Sequence, residues 1–549
     1  MFRSLRRSFA GEIDASPFIR RCYSGAAGIY AQRPRAVAFP ASAEDVRAAI
    51  GFCRDRALPL TARGAGSGMA GNNVGRGLVL DLTRHLNGVL GYDSGTGEVR
   101  VQPGLSYDAL NEFLQPHGRF LPPNPSSGAF CTLGGMVANN ASGMRSVRYG
   151  SVAAWLTAAA GVWGSGAAFA LRRPGPGPSR AAPDPRGPPP RDGRAVSGDP
   201  VVARLERLFL DACPPPPAWI ARVVKNSAGL RVWPAWDGER LDAVELLAGS
   251  EGTLAVLTDL AFRTAPLPGG RSLLVAALAS LEDLAQAVDR VRPLQPSGVE
   301  FLDRTFVEPL RAGNAAARAA LPAAAEAALF VELEGPDSAA AAALGRAALQ
   351  RIGGLALPGA RLAEGEPEAR ALWAMRRGAS PSLARLHPGR VTLQFVEDCA
   401  VAPADLPALL HGLREVFARE ALPVVLFGHA GEAHVHANPL FDLHDPDLPA
   451  RVERVAERVC ELVDRLGGTL SGEHGDGLAR AAFADRRFGA AAGFFAAVRR
   501  VCDPAGILNP GKILPAPHWS TGRDLRHRAP PARSAGAGRM TVAMAARAP

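Results

Sequence analysis

Lysine is almost missing from this chain: Lys225 and Lys512 are the only two among 62 basic residues in 549. An ammonium and a guanidinium differ in hydration and geometry, so these two positions stand out. Cysteine is scarce as well. The seven thiols (Cys22, Cys53, Cys131, Cys213, Cys399, Cys460, Cys502) are odd in number, scattered and free of any CxxC pair. That argues against a disulfide framework and against an iron–sulfur cluster held within this chain, and points to reduced thiols. Convincing apolar runs are also lacking. The start, MFRSLRRSFAGEID, is basic but has no apolar core of a secretory signal. Ser151–Leu171 is uncharged over 21 residues, yet its alanines and Gly161, Gly164 and Gly166 make it weakly apolar. A buried strand and turn is the expectation there, not a membrane span. The expected location is cytoplasmic, with a peripheral place on the inner membrane face as the alternative.

The net charge of +10 invites a nucleic-acid reading that its distribution does not support. The Pro/Gly/Arg-rich stretch Leu171–Pro200 carries +3, and the tail after Pro515 carries +5. The remainder is close to neutral, without aromatic-interleaved basic faces, which excludes a nucleic-acid binder. At 549 residues, 47% hydrophobic and 21% charged, the chain is globular and long enough for two or three domains.

From Ala36 the pattern is regular. Ala36–Phe39 reads as a strand, Ser42 as the cap of a helix with Glu44 and Asp45 in its first turn, and Leu58–Ala62 as a second strand. That strand runs into Arg63–Gly71, RGAGSGMAG, a turn whose Cβ-free amides can close around a phosphate. No helix pattern opens behind it, and Leu78–Leu82 resumes as a strand, so it is not the Rossmann fingerprint. Leu121–Gly150 is a second loop-rich cluster of the kind that carries function. Leu171 to about Val201 reads as a low-complexity surface loop. From Ser272 to about Leu440 strands (Ser272–Ala276, Ala328–Leu333, Arg390–Phe395) alternate with Ala-rich helices (Leu281–Val291, Ser338–Ile352, Pro403–Glu420), which suggests a second α+β domain.

Chemistry concentrates near the end. VLFGHAGEAHVHAN (Val425–Asn438) and SGEHGDG (Ser471–Gly477) hold four of the eleven histidines. His429, His434 and His436 with Glu473 and His474 offer the imidazoles and carboxylate that a zinc-like divalent ion takes. Surface or core histidines beside a solvated glutamate are the alternative.

The motifs RGAGSGMAG, PPNPSS with CTLGGMVANNASG and RYG, GSEGTLA, GHAGEAHVH, SGEHGDG and LNPGKI, in this order, resemble the FAD-linked oxidoreductases of the vanillyl-alcohol-oxidase/PCMH superfamily, in the 2-hydroxyacid dehydrogenase branch. NNASGMRSVRYG, KNSAG and FVEDCAV look most like the subgroup fused to an iron–sulfur domain. The resemblance implies an α+β fold with a PCMH-type FAD-binding domain (34–268, with 171–200 as an insert) and an FAD-linked oxidase C-terminal domain (269–515). An N-terminal extension (1–33) and an unstructured basic tail (516–549) flank them. It places Arg63, Gly64, Ala65, Gly66, Ser67, Gly68 and Met69 at the FAD pyrophosphate, and Pro123, Ser127, Thr132, Gly135, Asn140, Gly143 and Tyr149 along the flavin. Glu251, Gly252 and Asn509 complete the cofactor set. Ser67 stands where members with covalent flavin carry His, so FAD is expected to be non-covalent. The metal ligands fall on His429, His436 and Glu473, with zinc as the expected ion. His474 falls on the catalytic base, and Asn438 and Arg376, with Arg377 beside it, fall on groups that hold a substrate carboxylate.

Departures from the family pattern are specific. GDGN between the metal histidines reads Gly431-Glu432-Ala433-His434, which adds a ligand or alters ligand orientation. An expected Asp is missing from SGAAGIY (Ser24–Tyr30), and Val152–Val201 matches least. The implied reaction is oxidation of a D-2-hydroxy acid to a 2-oxo acid. Electrons would pass to a separate iron–sulfur or flavoprotein subunit, a cytochrome or a quinone, and a homodimer is compatible with the resemblance. A non-catalytic or decayed flavin-binding subunit is the rival reading, and a zinc hydrolase would leave the flavin motifs unexplained.

Overall fold

The helix Ala43–Arg54 shows how local chemistry sets the frame. Ser42, in extended conformation, accepts a hydrogen bond from the Asp45 amide, and Glu44 and Asp45 complement the dipole of Ala43–Arg54. In this computed structural model, which describes residues 1–173 and 198–526 apart from 314, 364, 366, 375 and 377–388, that helix lies between the parallel strands Ala36–Phe39 and Leu60–Arg63. Both strands pair with Leu78–Asp81, and the N-terminal Glu12–Asp14 adds an antiparallel edge. A second, antiparallel sheet runs Val89–Asp93, Glu98–Val101, Ala255–Arg263, Leu156–Trp163, Ala168–Arg172. Its last two strands come from the uncharged Ser151–Leu171 stretch. Among the described residues no helix is long and apolar enough to cross a membrane.

The third sheet is antiparallel throughout, in the order Arg361–Ala363, Gly270–Leu278, Ala327–Gly335, Gly298–Asp303, Val424–His429, His434–Asp442, Arg390–Thr392. Cys399–Ala400 pairs with its second-last strand. Strand alternation gives both faces apolar cover: Leu274, Ala276 and Leu278 pack with helices Leu281–Val291, Ser338–Ile352 and Leu406–Arg419, while Leu273, Val275 and Ala277 pack with Phe306, Leu310 and Trp373. Arg145 of the first half reaches Glu332 of this sheet at 2.8 Å.

Residues 516–526 depart from the expected unstructured tail. Trp519 and Leu525 bury apolar surface, and the Trp519 Nε1 donates to the Leu478 carbonyl at 2.8 Å. Backbone bonds tie Asp524 and Arg526 to Ala31 and Ile29. Trp519 and Leu525 outweigh the Pro/Arg content that reads as unstructured. Most of the 171–200 insert, the tail after 526 and Arg377 lie outside the described residues.

Candidate active site

Register brings the histidines together. Val424–His429 pairs with His434–Asp442 so that Phe427 faces His436 and His429 faces His434. With a period of two, His429, His434, His436 and Asn438 therefore share one face of the sheet. The short link between the strands places Ala433 at φ +49, a conformation that favours glycine.

Glu473 and His474 enter from the loop after Leu448–Arg465. The Glu473 Oε1 lies 3.2 Å from His429 Nε2 and 3.3 Å from His436 Nε2. Donors about 2.1 Å from one ion stand roughly 3.0 Å apart in octahedral and roughly 3.4 Å apart in tetrahedral geometry, so this convergence fits a divalent cation. The other oxygen, Oε2, is taken by the Lys225 ammonium at 2.8 Å and the Ser142 hydroxyl at 2.9 Å. Burial opposes the Glu473 charge, yet Lys225 and His429 hold its carboxyl well below the usual range.

Each ring is anchored from behind. His429 Nδ1 bonds Glu300, whose second oxygen takes the Arg376 guanidinium. Burial alone would raise the Glu300 carboxyl; His429 and Arg376 bring it down to about 2. His436 Nδ1 lies 3.2 Å from the Glu397 carbonyl. His434 Nε2 lies 2.7 Å from Asp398 Oδ1. The second Asp398 oxygen accepts from the Ser471 hydroxyl at 2.9 Å and the His474 amide at 2.8 Å. His474 Nδ1 is 2.9 Å from Glu397 Oε1, and Arg480 pairs with the other Glu397 oxygen at 2.9 Å. This leaves His474 Nε2 toward Glu473 Oε1 at 3.8 Å. Burial disfavours the His474 imidazolium, but Asp398 and Glu397 outweigh it and raise the ring to about 9.

Glu473 and His474 also line a cleft. Its walls are the Arg63–Met69 turn, Asn72 and Asn73, Pro125–Ser127, Cys131 with Thr132, Gly134–Met136, and Ser250–Gly252. The amides of Ala65 to Met69 donate to no protein acceptor among the described residues. The buried side-chain oxygens of Asn72 and Asn73 likewise have no partner. Unpaired amides facing a cleft, beside buried unpaired acceptors, are what a phosphate-bearing dinucleotide satisfies. The cleft thus fits FAD.

Two model domains match the chain: an FAD binding domain over residues 34–171, and the C-terminal domain of FAD linked oxidases over 267–513. The chain belongs to the FAD-linked oxidases. It is 28% identical over 498 residues to the glycolate oxidase subunit GlcD of Escherichia coli K12, covering 89% of this chain and 85% of that one. To the D-2-hydroxyglutarate dehydrogenase of Pantoea ananatis it is 28% identical over 528 residues, 92% of this chain but 50% of that protein, so it spans half of that relative's length. The solved structure of p-cresol methylhydroxylase with bound substrate shares the fold, with a TM-score of 0.64 at 15% identity over 94% and 96% of the two chains. This FAD-linked oxidase therefore has the expected α+β, PCMH-type architecture.

Of the residues singled out in the sequence, His429, His436, Glu473 and His474 converge, and Asn438 shares their sheet face, its Oδ1 accepting from Gln394 at 2.9 Å. Arg376 is there too, bound to Glu300. Arg63–Met69, Ser127, Thr132, Gly135, Glu251 and Gly252 line the cleft, whereas Pro123, Asn140, Gly143, Tyr149 and Asn509 do not. Asn140 ends the helix Leu133–Asn139 at φ +50 and accepts from the Ala153 amide. Gly143, at φ +123, is pressed against the Asn124 carbonyl. Tyr149 bonds Glu334. Asn509 donates to the carbonyls of Asn72 and Glu251, at 2.7 Å each, pinning two cleft walls together. Glu300, Glu397, Asp398 and Ser142 were not singled out. For the three acids the signal is a carboxylate inside an apolar strand pattern, GVEFLD and LQFVEDCAV.

Proposed function

We propose that this FAD-linked oxidase converts a D-2-hydroxy acid to the 2-oxo acid and passes the electrons to a separate acceptor. One observation carries the reading: two consecutive residues, Glu473 heading a three-donor cation site and His474 presenting a ring nitrogen, both open on the flavin cleft. The names of the GlcD and hydroxyglutarate relatives support the substrate class. Bound FAD supplies a two-electron acceptor, and a divalent cation supplies charge that acidifies an α-hydroxyl.

His429, His436 and Glu473 hold the cation. His474, its Nδ1 committed to Glu397, takes the hydroxyl proton at Nε2. Its ring is raised to about 9 without positive charge at Glu473; a cation held by Glu473 would lower it and ready the nitrogen to accept. Asn438, with Oδ1 engaged, keeps Nδ2 as a donor for a substrate oxygen. Arg376 retains Nε without a protein partner among the described residues, a second donor beside its ion pair with Glu300.

The test is an anaerobic visible titration of the flavin with D-lactate, glycolate, D-malate and D-2-hydroxyglutarate, before and after chelation. One acid should bleach the flavin band, and chelation should abolish the bleaching. His474→Ala should keep its flavin yet bleach about 10²–10⁴-fold more slowly. Wild-type speed in that variant would remove His474 from the base role. Failure of every acid with FAD and metal bound would overturn the function.

A further inference from the structure

We propose that His434 is a fourth protein ligand of the cation site, so that the donor set is three imidazoles and one carboxylate. This rests on the metal-assisted reading above. His434 is fully buried, and its Nε2 is committed to Asp398 at 2.7 Å. A carboxylate or carbonyl on one ring nitrogen is the usual way a protein aims the other at a metal. His429, with Glu300, and His436, with the Glu397 carbonyl, share that arrangement.

The remaining nitrogens differ in a telling way. Those of His429 and His436 meet Glu473 Oε1. His434 Nδ1 is buried without a hydrogen-bond partner among the described residues, a costly state for an acceptor unless something binds it. Its ring centre is 4.6 Å from that of His436 and 5.2 Å from that of His429. One ligand atom from each of His429, His434, His436 and Glu473 fits within 4.8 Å of all the others. Turning the His434 ring over would break its bond to Asp398. Asp398 itself, though near His436, Glu473 and His474, already accepts from His434, Ser471 and backbone amides. Lys225, the neighbouring cation, sits on Glu473 Oε2, not on the Oε1 that the imidazoles share. Four protein donors and two oxygens from a chelating hydroxy acid make six, a number that suits an octahedral cation better than tetrahedral zinc.

The experiment uses the full flavin-loaded chain, stripped with a chelator and reloaded with Co(II) alone. X-ray absorption should count three imidazoles around the cobalt in the wild type and two in His434→Ala, whose Co(II) affinity should fall at least about tenfold. Two imidazoles in the wild type, or unchanged affinity in His434→Ala, would overturn the assignment. Should the variant fail to fold, the wild-type count decides by itself. Cobalt held by two imidazoles sinks only the role of His434, whereas no cobalt uptake sinks the metal-assisted reading with it.

Discussion

Glu300 shows how much of this site depends on side chains that touch no ligand. It is fully buried, it bonds the back of His429, and it neutralises Arg376. Removing the charge while keeping the shape should loosen the His429 ring and strand a guanidinium. Glu300→Gln is therefore expected to weaken cation binding about 10–100-fold with flavin content unchanged, as read by metal titration and the visible spectrum. Equal metal affinity would mean that the ring is held by packing alone. The pairing also shows why Arg376 was read from the sequence only as a carboxylate clamp: its partner lies 76 residues away, beyond any local pattern.

At the scale of elements, one buried ion triad joins two pieces of the flavin-binding half. Glu245, on the short helix Ala243–Leu247, accepts from Arg231 at 2.8 Å and from Arg173, which follows the strand Ala168–Arg172. Burial would raise the Glu245 carboxyl, but Arg231 and Arg173 pull it down to about 2. A folded pKa below the ordinary 4.5 means that the triad's contribution is complete above pH 4.5 and is lost as pH falls toward 2. Its size is about 3 kcal/mol at neutral pH. Glu245→Gln should lower the melting temperature at pH 7 and flatten its fall between pH 4.5 and 2; melting curves that stay parallel to wild type across that window would count against the triad. Ser151–Leu171 folds as expected because small residues pack between strands, where a span would need bulkier apolar side chains.

For the whole molecule, the C-terminal segment acts as a strap. Trp519 lies 6.0 Å from the Tyr30 ring, and Tyr30 packs against Gly71 at the end of the cleft-lining turn. Trp519→Ala, at a half-buried position, should cost about 2 kcal/mol, measured as a lower urea midpoint. An unchanged midpoint would show that the strap is not part of the cooperative unit. Composition alone reads this segment as solvent-exposed, since one tryptophan and one leucine among polar and charged residues give no periodic signal.

The sequence by itself determined the two domains, the glycine-rich turn, the histidine pair and the Glu473-His474 step, because each is a local run whose residue types and spacing suit one kind of chemistry. Only the tertiary structure decided which oxygen of Glu473 meets the imidazoles, that Lys225 and Ser142 hold the other, and that Glu300 and Asp398 fix the rings. Those contacts join residues tens to hundreds of positions apart, and sheet register, not sequence spacing, brings them within hydrogen-bonding distance.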